Sequence, residues 1–74
     1  MTALQSAIRD KRNILRGEYG GMMSLSDLTR ELGMGREAAK DWAREKQIGN
    51  NCGRRIKYET DEVAKHIVLG RGMV

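Results

Sequence analysis

The sequence predicts a mostly α-helical fold that includes one short β-hairpin. Three observations lead to this class: two short helical patterns flank a turn at residues 33–35, turn-forming residues cluster at 49–53, and a helical pattern stands near each end of the chain. With 74 residues, the chain is expected to form one small domain, near the size at which a single hydrophobic core is barely sufficient.

The first short helix is expected to begin after Ser24. Asp27 follows this N-cap three residues later, which gives a capping box with the shorter Asp in place of the usual Glu. Three leucines then recur at i, i+3 and i+7 and line one face of the helix; they are Leu25, Leu28 and Leu32. Gly33 is expected to end the helix in a left-handed conformation.

The second short helix is expected to begin at Gly35 as its N-cap, with Met34 filling the turn. Its apolar stripe consists of Ala39, Trp42 and Ala43, followed by Ile48. We expect Trp42 to lie in the core, because an indole buries more area than any other side chain here. The other face carries Arg36, Glu37, Lys40, Asp41 and Arg44. Two short helices joined in this way predict a helix-turn-helix, which presents such a face to the major groove of DNA.

The segment after these helices predicts a short two-stranded β-hairpin. Residues 49–53 are a dense cluster of turn formers, and 54–58 form a basic return strand that alternates polar and apolar residues in its second half. Thr60 is then expected to cap a last helix, with Asp61 and Glu62 favourably placed in its first turn. The apolar stripe of this helix consists of Val63, Ala64, Ile67 and Val68.

The order helix, turn, helix, hairpin, helix resembles the excisionase and MerR-type winged-helix family over residues 23–69. The residues that carry the resemblance are Ser24, Leu28, Leu32-Gly33, Arg36, Trp42, Ile48, Gly53-Arg54-Arg55 and the helix from Thr60 to Ile67. The resemblance implies a winged helix-turn-helix fold with the two-stranded hairpin as its wing, here preceded by an extra N-terminal helix. It also implies that the helix beginning at Arg36 enters the major groove while the wing grips the DNA backbone.

The formal net charge of +4 is unevenly distributed along the chain. Residues 1–20 and 48–59 each carry an excess of two positive charges, whereas 21–47 balance five bases with five acids. Phosphate contacts depend on charge and tolerate variable geometry, whereas reading bases needs accurately placed donors and acceptors. The distribution therefore matches the roles that the resemblance implies, in which the wing anchors the protein and the helix reads bases.

The N-terminal segment lies outside the family resemblance. Its apolar residues fall roughly on one helical face; they are Leu4, Ala7, Ile8, Ile14 and Leu15. Glycines at 17, 20 and 21 interrupt this pattern, so we expect residues 1–21 to form an amphipathic helix and a glycine linker, 22–70 the winged domain, and 71–74 a tail. The helix is expected to pack on the domain and enlarge its core; the alternative is a helix for dimerisation or cooperative oligomerisation.

Composition argues against several other classes of protein. There is no plausible catalytic triad, glycine-rich phosphate loop or pocket-forming carboxylate pair, so we expect no enzyme activity. A lone cysteine, Cys52, excludes an internal disulfide, and with His66 as the one histidine we expect no metal site and no cofactor. We also expect no small-molecule effector, because the resemblance to MerR-type regulators does not extend to their long dimerisation helix and effector module. No apolar run reaches the roughly 20 residues of a membrane span. A soluble, cytoplasmic protein without membrane contact is expected.

The sequence thus predicts a sequence-specific protein that binds double-stranded DNA, either a small regulator from a prophage or mobile element or an excisionase-like architectural factor. Its predicted DNA-binding residues are Arg36, Glu37, Lys40, Arg44, Arg54, Arg55 and Lys57. Two alternatives remain open, a DNA-recognition subunit of a phage packaging terminase and a winged helix that binds a protein. The charged face of the second helix could also be an ordinary solvated surface, since its acids and bases have salt-bridge spacing.

Overall fold

A computed structural model describes residues 2–52 and 55–72 of the chain. Its elements in chain order are α1 (Ala3–Tyr19), β1 (Met22–Met23), α2 (Leu25–Leu32), α3 (Arg36–Glu45), β2 (Asn50–Cys52), β3 (Arg55–Glu59) and α4 (Thr60–Gly72). The protein is therefore mostly helical with a small antiparallel sheet. This class of fold confirms the prediction from sequence.

Strand β3 is the centre of the sheet, and the order is β1-β3-β2. Asn50 lies opposite Lys57 in the β2–β3 pair, which is the predicted hairpin. On the other edge Met23 lies opposite Tyr58, so β1 adds a strand that the sequence did not predict. Two residues are too few to show an alternating pattern. Residues 53 and 54 of the hairpin lie outside the described residues.

The connection from α2 to α3 follows the local sequence signals. The Ser24 hydroxyl accepts a hydrogen bond from the Asp27 amide, and the Asp27 carboxylate accepts one from the Ser24 amide, both at 3.1 Å. Gly33 has a left-handed backbone at φ 68°, and Gly35 is the N-cap of α3. The predicted capping box, helix end and helix start are all confirmed.

The core lies where α1, α2, α3, α4 and the sheet meet. Its buried residues are Leu15, Met23, Leu28, Ala39, Ala43, Ile48, Tyr58, Val63 and Ala64. Trp42 packs against this core but is only partly buried, so the prediction that the indole lies in the core is confirmed only in part. The small side chains of Ala39 and Ala43 take the inward face of α3, and Trp42 lies at the edge with Lys46 Nζ 5.2 Å from its ring centroid. The buried aromatic residue is Tyr58 instead.

Helix α1 is longer than predicted, because it continues through Gly17 and ends where Gly20 has φ 80°. The linker predicted to start at Gly17 is therefore helical, and Thr2 and Gln5 form a capping box at the start of α1. Ile14 was predicted on the apolar face but is 55% exposed. It lies a quarter turn or more from the buried Leu15, since successive helical residues are about 100° apart.

Polar contacts fix α1 to the rest of the protein. Arg16 donates two hydrogen bonds of 2.7 Å to the Asp61 carboxylate of α4. Lys11 Nζ lies 2.9 Å from a carboxylate oxygen of Glu31 on α2, with both side chains only 17% exposed. Together with the burial of Leu15, these contacts confirm the expectation that the N-terminal helix packs on the domain.

Thr60 has a different role from the predicted cap. It is the first residue of α4, and its hydroxyl donates a hydrogen bond of 2.8 Å to the carbonyl oxygen of Gly20. The Thr60 amide also donates to the Gly21 carbonyl at 3.1 Å. Thr60 is fully buried, so its side chain ties the start of α4 to the end of α1.

Candidate nucleic-acid interface

A groove of about 480 Å³ runs between the start of α2, helix α3 and strand β3. Four basic side chains line it, Arg36 and Lys40 from α3 and Arg55 and Lys57 from β3. We call it the basic groove. Its other lining residues are Ser24, Leu25, Ser26, Ile56 and Tyr58. Among the described residues that line the groove there is no carboxylate.

Local geometry explains how each pair of cations is placed on its own element. Arg36 and Lys40 are one helical turn apart and so share a face of α3. Arg55 and Lys57 are two residues apart and so share a side of β3. Both pairs line the basic groove, although they lie about fifteen residues apart in the sequence.

The cations of the basic groove are largely free of internal ion pairs. Within the described part of the chain, Arg36, Arg55 and Lys57 form none. Lys40 Nζ lies 3.9 Å from a carboxylate oxygen of Glu37, which is a long, exposed contact. Exposed ion pairs of this kind contribute little, so Lys40 is also available to a ligand.

The cations of α1 differ from those of the groove. Lys11 forms a salt bridge with Glu31, and Arg16 forms a bidentate salt bridge with Asp61. The hydrogen bond and charge of Asp61 raise the Arg16 pKa above its ordinary value. The positive charge of the N-terminal segment is thus partly used within the fold, which the distribution of charge along the sequence did not show.

One polar contact holds a groove side chain in place. Arg36 Nη2 donates a hydrogen bond to the hydroxyl of Ser26 on α2 at 3.2 Å. A guanidinium has five N–H donors, so this contact leaves others for a ligand. Ser26 was not among the predicted site residues, because its partner lies ten residues away along the chain.

The other predicted site residues are placed as follows. Glu37 is 88% exposed on α3 beside Lys40. Arg44 lies one turn beyond Lys40, with Nη1 3.4 Å from an Asp41 carboxylate oxygen. Arg54 lies outside the described residues.

A second groove of about 290 Å³ adjoins the basic groove. Arg44 and Gly49 line it, and it shares Lys40, Ile56 and Tyr58 with the basic groove. Burial raises the pKa of Tyr58 above its ordinary value, and the nearby Arg44 charge lowers it to a smaller extent. The phenol is therefore neutral at physiological pH, and the charge of both grooves comes from lysine and arginine.

The shape and chemistry of the basic groove suit a polyanion. Lysine and arginine side chains supply positive charge and N–H donors, which are the groups that contact phosphates and base edges. Helix α3 has ten residues, which corresponds to a length of about 15 Å.

In the described segments, no cluster of three or more His, Cys, Asp or Glu side chains could hold a metal ion. None of the helices there has the length and apolar character needed to cross a membrane.

Comparison with protein-family models, with curated proteins and with solved structures gives no match to this chain.

Proposed function

We propose that this chain is a sequence-specific double-stranded DNA-binding protein with a winged helix-turn-helix fold. In this proposal α2, the turn at 33–35 and α3 form the helix-turn-helix, and the β2–β3 hairpin is the wing. The observation that supports it most is the basic groove, which is lined by two cations of α3 and two of β3 and, among the described residues, by no carboxylate. Its resemblance to the excisionase and MerR-type family is part of the same proposal.

In the proposed complex, α3 enters the major groove with its first two turns against the bases. Arg36 and Lys40 reach base edges, where an arginine or lysine can donate to guanine O6 and N7. Glu37, which is exposed on the same helix, can accept from a cytosine amino group. Arg44, near the end of α3, contacts a flanking phosphate.

The wing anchors the protein in this arrangement. Arg55 and Lys57 contact phosphates through charge, which tolerates variable geometry. Arg54, which precedes them in the sequence, is proposed to do the same. Lys11 and Arg16 of α1, which form salt bridges with Glu31 and Asp61, contribute little to DNA binding in this proposal.

A salt titration tests this proposal. Binding of a fluorescent random 20-base-pair duplex is measured by anisotropy between 50 and 300 mM salt. About five phosphate contacts predict a slope of log affinity against log salt of roughly −4 to −5. Absence of binding at the lowest salt, or a flat slope, would overturn the proposal and leave the protein-binding alternative.

Two sets of variants separate the phosphate contacts of the wing from base recognition by α3. Arg55→Gln with Lys57→Gln is expected to weaken specific and random duplexes about equally and to reduce the slope by about 2. Lys40→Gln is expected to reduce discrimination by about 1 to 3 kcal/mol at particular base pairs of a site selected from a random pool. Lys65→Gln is the matched control, because Lys65 is an exposed cation of α4 that does not line the basic groove.

The biological setting is part of the same proposal. A small regulator of a prophage or mobile element would occupy a promoter, whereas an excisionase-like factor would bind cooperatively and bend its site. Measuring the bend of the bound duplex distinguishes these settings, because only the excisionase-like factor is expected to bend its site.

A further inference from the structure

Ile56 is an exposed apolar side chain within a charged surface. It lies on β3 between Arg55 and Lys57 and is 47% exposed. The other exposed large apolar side chains in the described residues are Ile14 and Met22, and neither lines the basic groove. An isoleucine adds nothing to phosphate binding, so its place among four cations calls for another explanation.

The alternation of β3 places Ile56 on the same side of the strand as Tyr58, which is buried. Arg55, Lys57 and Glu59 take the other side. Ile56 and Lys40 line both the basic groove and the second groove. Ile56 thus lies beside the exposed face of α3 that carries Lys40.

The side chain of Ile56 is also held in position. A Cβ built on Gly49 would lie 3.3 Å from Ile56 Cγ2 and 3.5 Å from Tyr58 Cε1, so one methyl group of Ile56 packs over the bare backbone of Gly49. Isoleucine is β-branched and has few rotamers available at χ1. The rest of the side chain is exposed to solvent.

We propose that Ile56 is a specificity-determining residue that contacts the 5-methyl group of a thymine in the major groove, beside the base pair approached by Lys40. This inference rests on the proposed function, since it needs α3 in the major groove. Thymine is the one DNA base that presents a methyl group there, and apolar side chains recognise it by contact. The contact would make the protein prefer an A·T pair at one position of its site.

A different role for an apolar wing residue is insertion between base pairs in the minor groove, which kinks the duplex. The structure favours the major groove because Ile56 lies on the α3 side of the hairpin and packs over Gly49. A side chain that is braced in this way is suited to surface contact. Insertion needs a side chain that projects away from the protein.

The experiment removes the methyl groups of the DNA one at a time. A duplex selected by the wild-type protein from a random pool is prepared with each thymine replaced singly by deoxyuridine, which lacks only the 5-methyl group. Wild-type affinity is expected to fall about three- to five-fold at one thymine, the effect of one buried methyl group. Ile56→Ala is expected to bind the thymine and deoxyuridine duplexes equally at that position.

Ile14→Ala is the matched control, because Ile14 is a similarly exposed isoleucine on α1. It is expected to keep the full preference for thymine. Ile56→Val, which keeps the β-branch and removes one methyl group, is expected to keep part of the preference and serves where the alanine variant is unstable. Circular dichroism melting of each variant reports its folding.

The outcomes distinguish this inference from the proposed function. Absence of duplex binding by the wild-type protein would overturn both. Tight binding with no effect of deoxyuridine at any thymine, or an unchanged thymine preference in both the Ile56→Ala and Ile56→Val variants, would overturn the inference and leave DNA binding in place. A DNA bend that disappears in Ile56→Ala without any deoxyuridine effect would assign Ile56 to the minor groove and also overturn it.

Discussion

Arg36 on α3 and Ser26 on α2 are joined by a hydrogen bond of 3.2 Å from the guanidinium to the hydroxyl oxygen. The bond spans the two helices on either side of the turn at Gly33 and Gly35. It fixes one edge of the guanidinium at the wall of the basic groove, and within the described part of the chain the remaining N–H groups form no other hydrogen bond. An arginine held in this way loses less rotamer freedom on binding than one that is free in solvent.

The first prediction tests this relationship. Ser26→Ala is expected to lower affinity for the selected duplex about three- to ten-fold, because the Arg36 side chain loses a hydrogen bond that orients it. The melting temperature should hardly change, since Ser26 is exposed and alanine suits the first turn of a helix. Anisotropy titration and thermal melting are the two measurements.

Ser26→Thr retains a hydroxyl and is the control for this substitution. It should recover most of the affinity that the alanine variant loses. If alanine and threonine variants bind as tightly as the wild type, the Ser26 hydroxyl does not position Arg36 for DNA.

The second prediction compares two aromatic residues, Tyr58 and Trp42. Tyr58→Ala is expected to lower the free energy of unfolding by about 3 to 5 kcal/mol, because it removes a buried ring from the centre of a small core. Trp42→Ala should cost less, about 1 to 3 kcal/mol, because the indole is only partly buried at the edge of that core. Urea unfolding followed by circular dichroism measures both. A larger loss for Trp42→Ala than for Tyr58→Ala would contradict this assignment of the core.

The contrast between these residues shows how far sequence reasoning extends. The capping box of Ser24 and Asp27 and the helix end at Gly33 were predicted correctly, because such signals act within three or four residues. Which aromatic residue is buried depends on the sheet, where Met23 lies opposite Tyr58. That pairing joins residues 35 positions apart, and the two-residue strand β1 gives no pattern in the sequence.

The candidate site was predictable to a similar degree. The helical spacing of Arg36 and Lys40, together with the basic composition of the hairpin, predicts two cationic clusters. Their meeting in one groove depends on how β3 packs beside α2 and α3, which is a property of the tertiary structure. The pairing of Lys11 with Glu31, twenty residues apart, likewise could not be predicted from local spacing.

The third prediction concerns pH. Burial raises the pKa of Tyr58 above its ordinary value of 10.0, so the folded protein favours the neutral phenol. Tyr19 has a raised pKa too, first through burial and then through the charge of Glu31. Because the folded pKa values exceed the unfolded ones, this stabilisation is fully present below pH 10 and is lost as the pH rises beyond it.

The free energy of unfolding is therefore expected to decrease above about pH 10. Tyr58→Phe and Tyr19→Phe should each make that decrease less steep, since phenylalanine does not ionise. Urea unfolding at a series of pH values between 8 and 11 measures the slope. An unchanged slope in the variant that combines Tyr19→Phe with Tyr58→Phe would show that other groups control the alkaline limit of stability.

The last prediction uses two glycines with opposite surroundings. Gly49 has φ 137°, a conformation that residues with a side chain rarely adopt, and a Cβ there would lie 3.3 Å from Ile56 Cγ2. Gly49→Ala is expected to destabilise the protein by about 1 to 3 kcal/mol. Gly17 lies inside α1 with nothing within 4 Å of an added Cβ, so Gly17→Ala should stabilise it by about 0.5 to 1 kcal/mol. Urea unfolding of the two variants should thus shift in opposite directions, and destabilisation by Gly17→Ala would contradict the helical path of α1 through that residue.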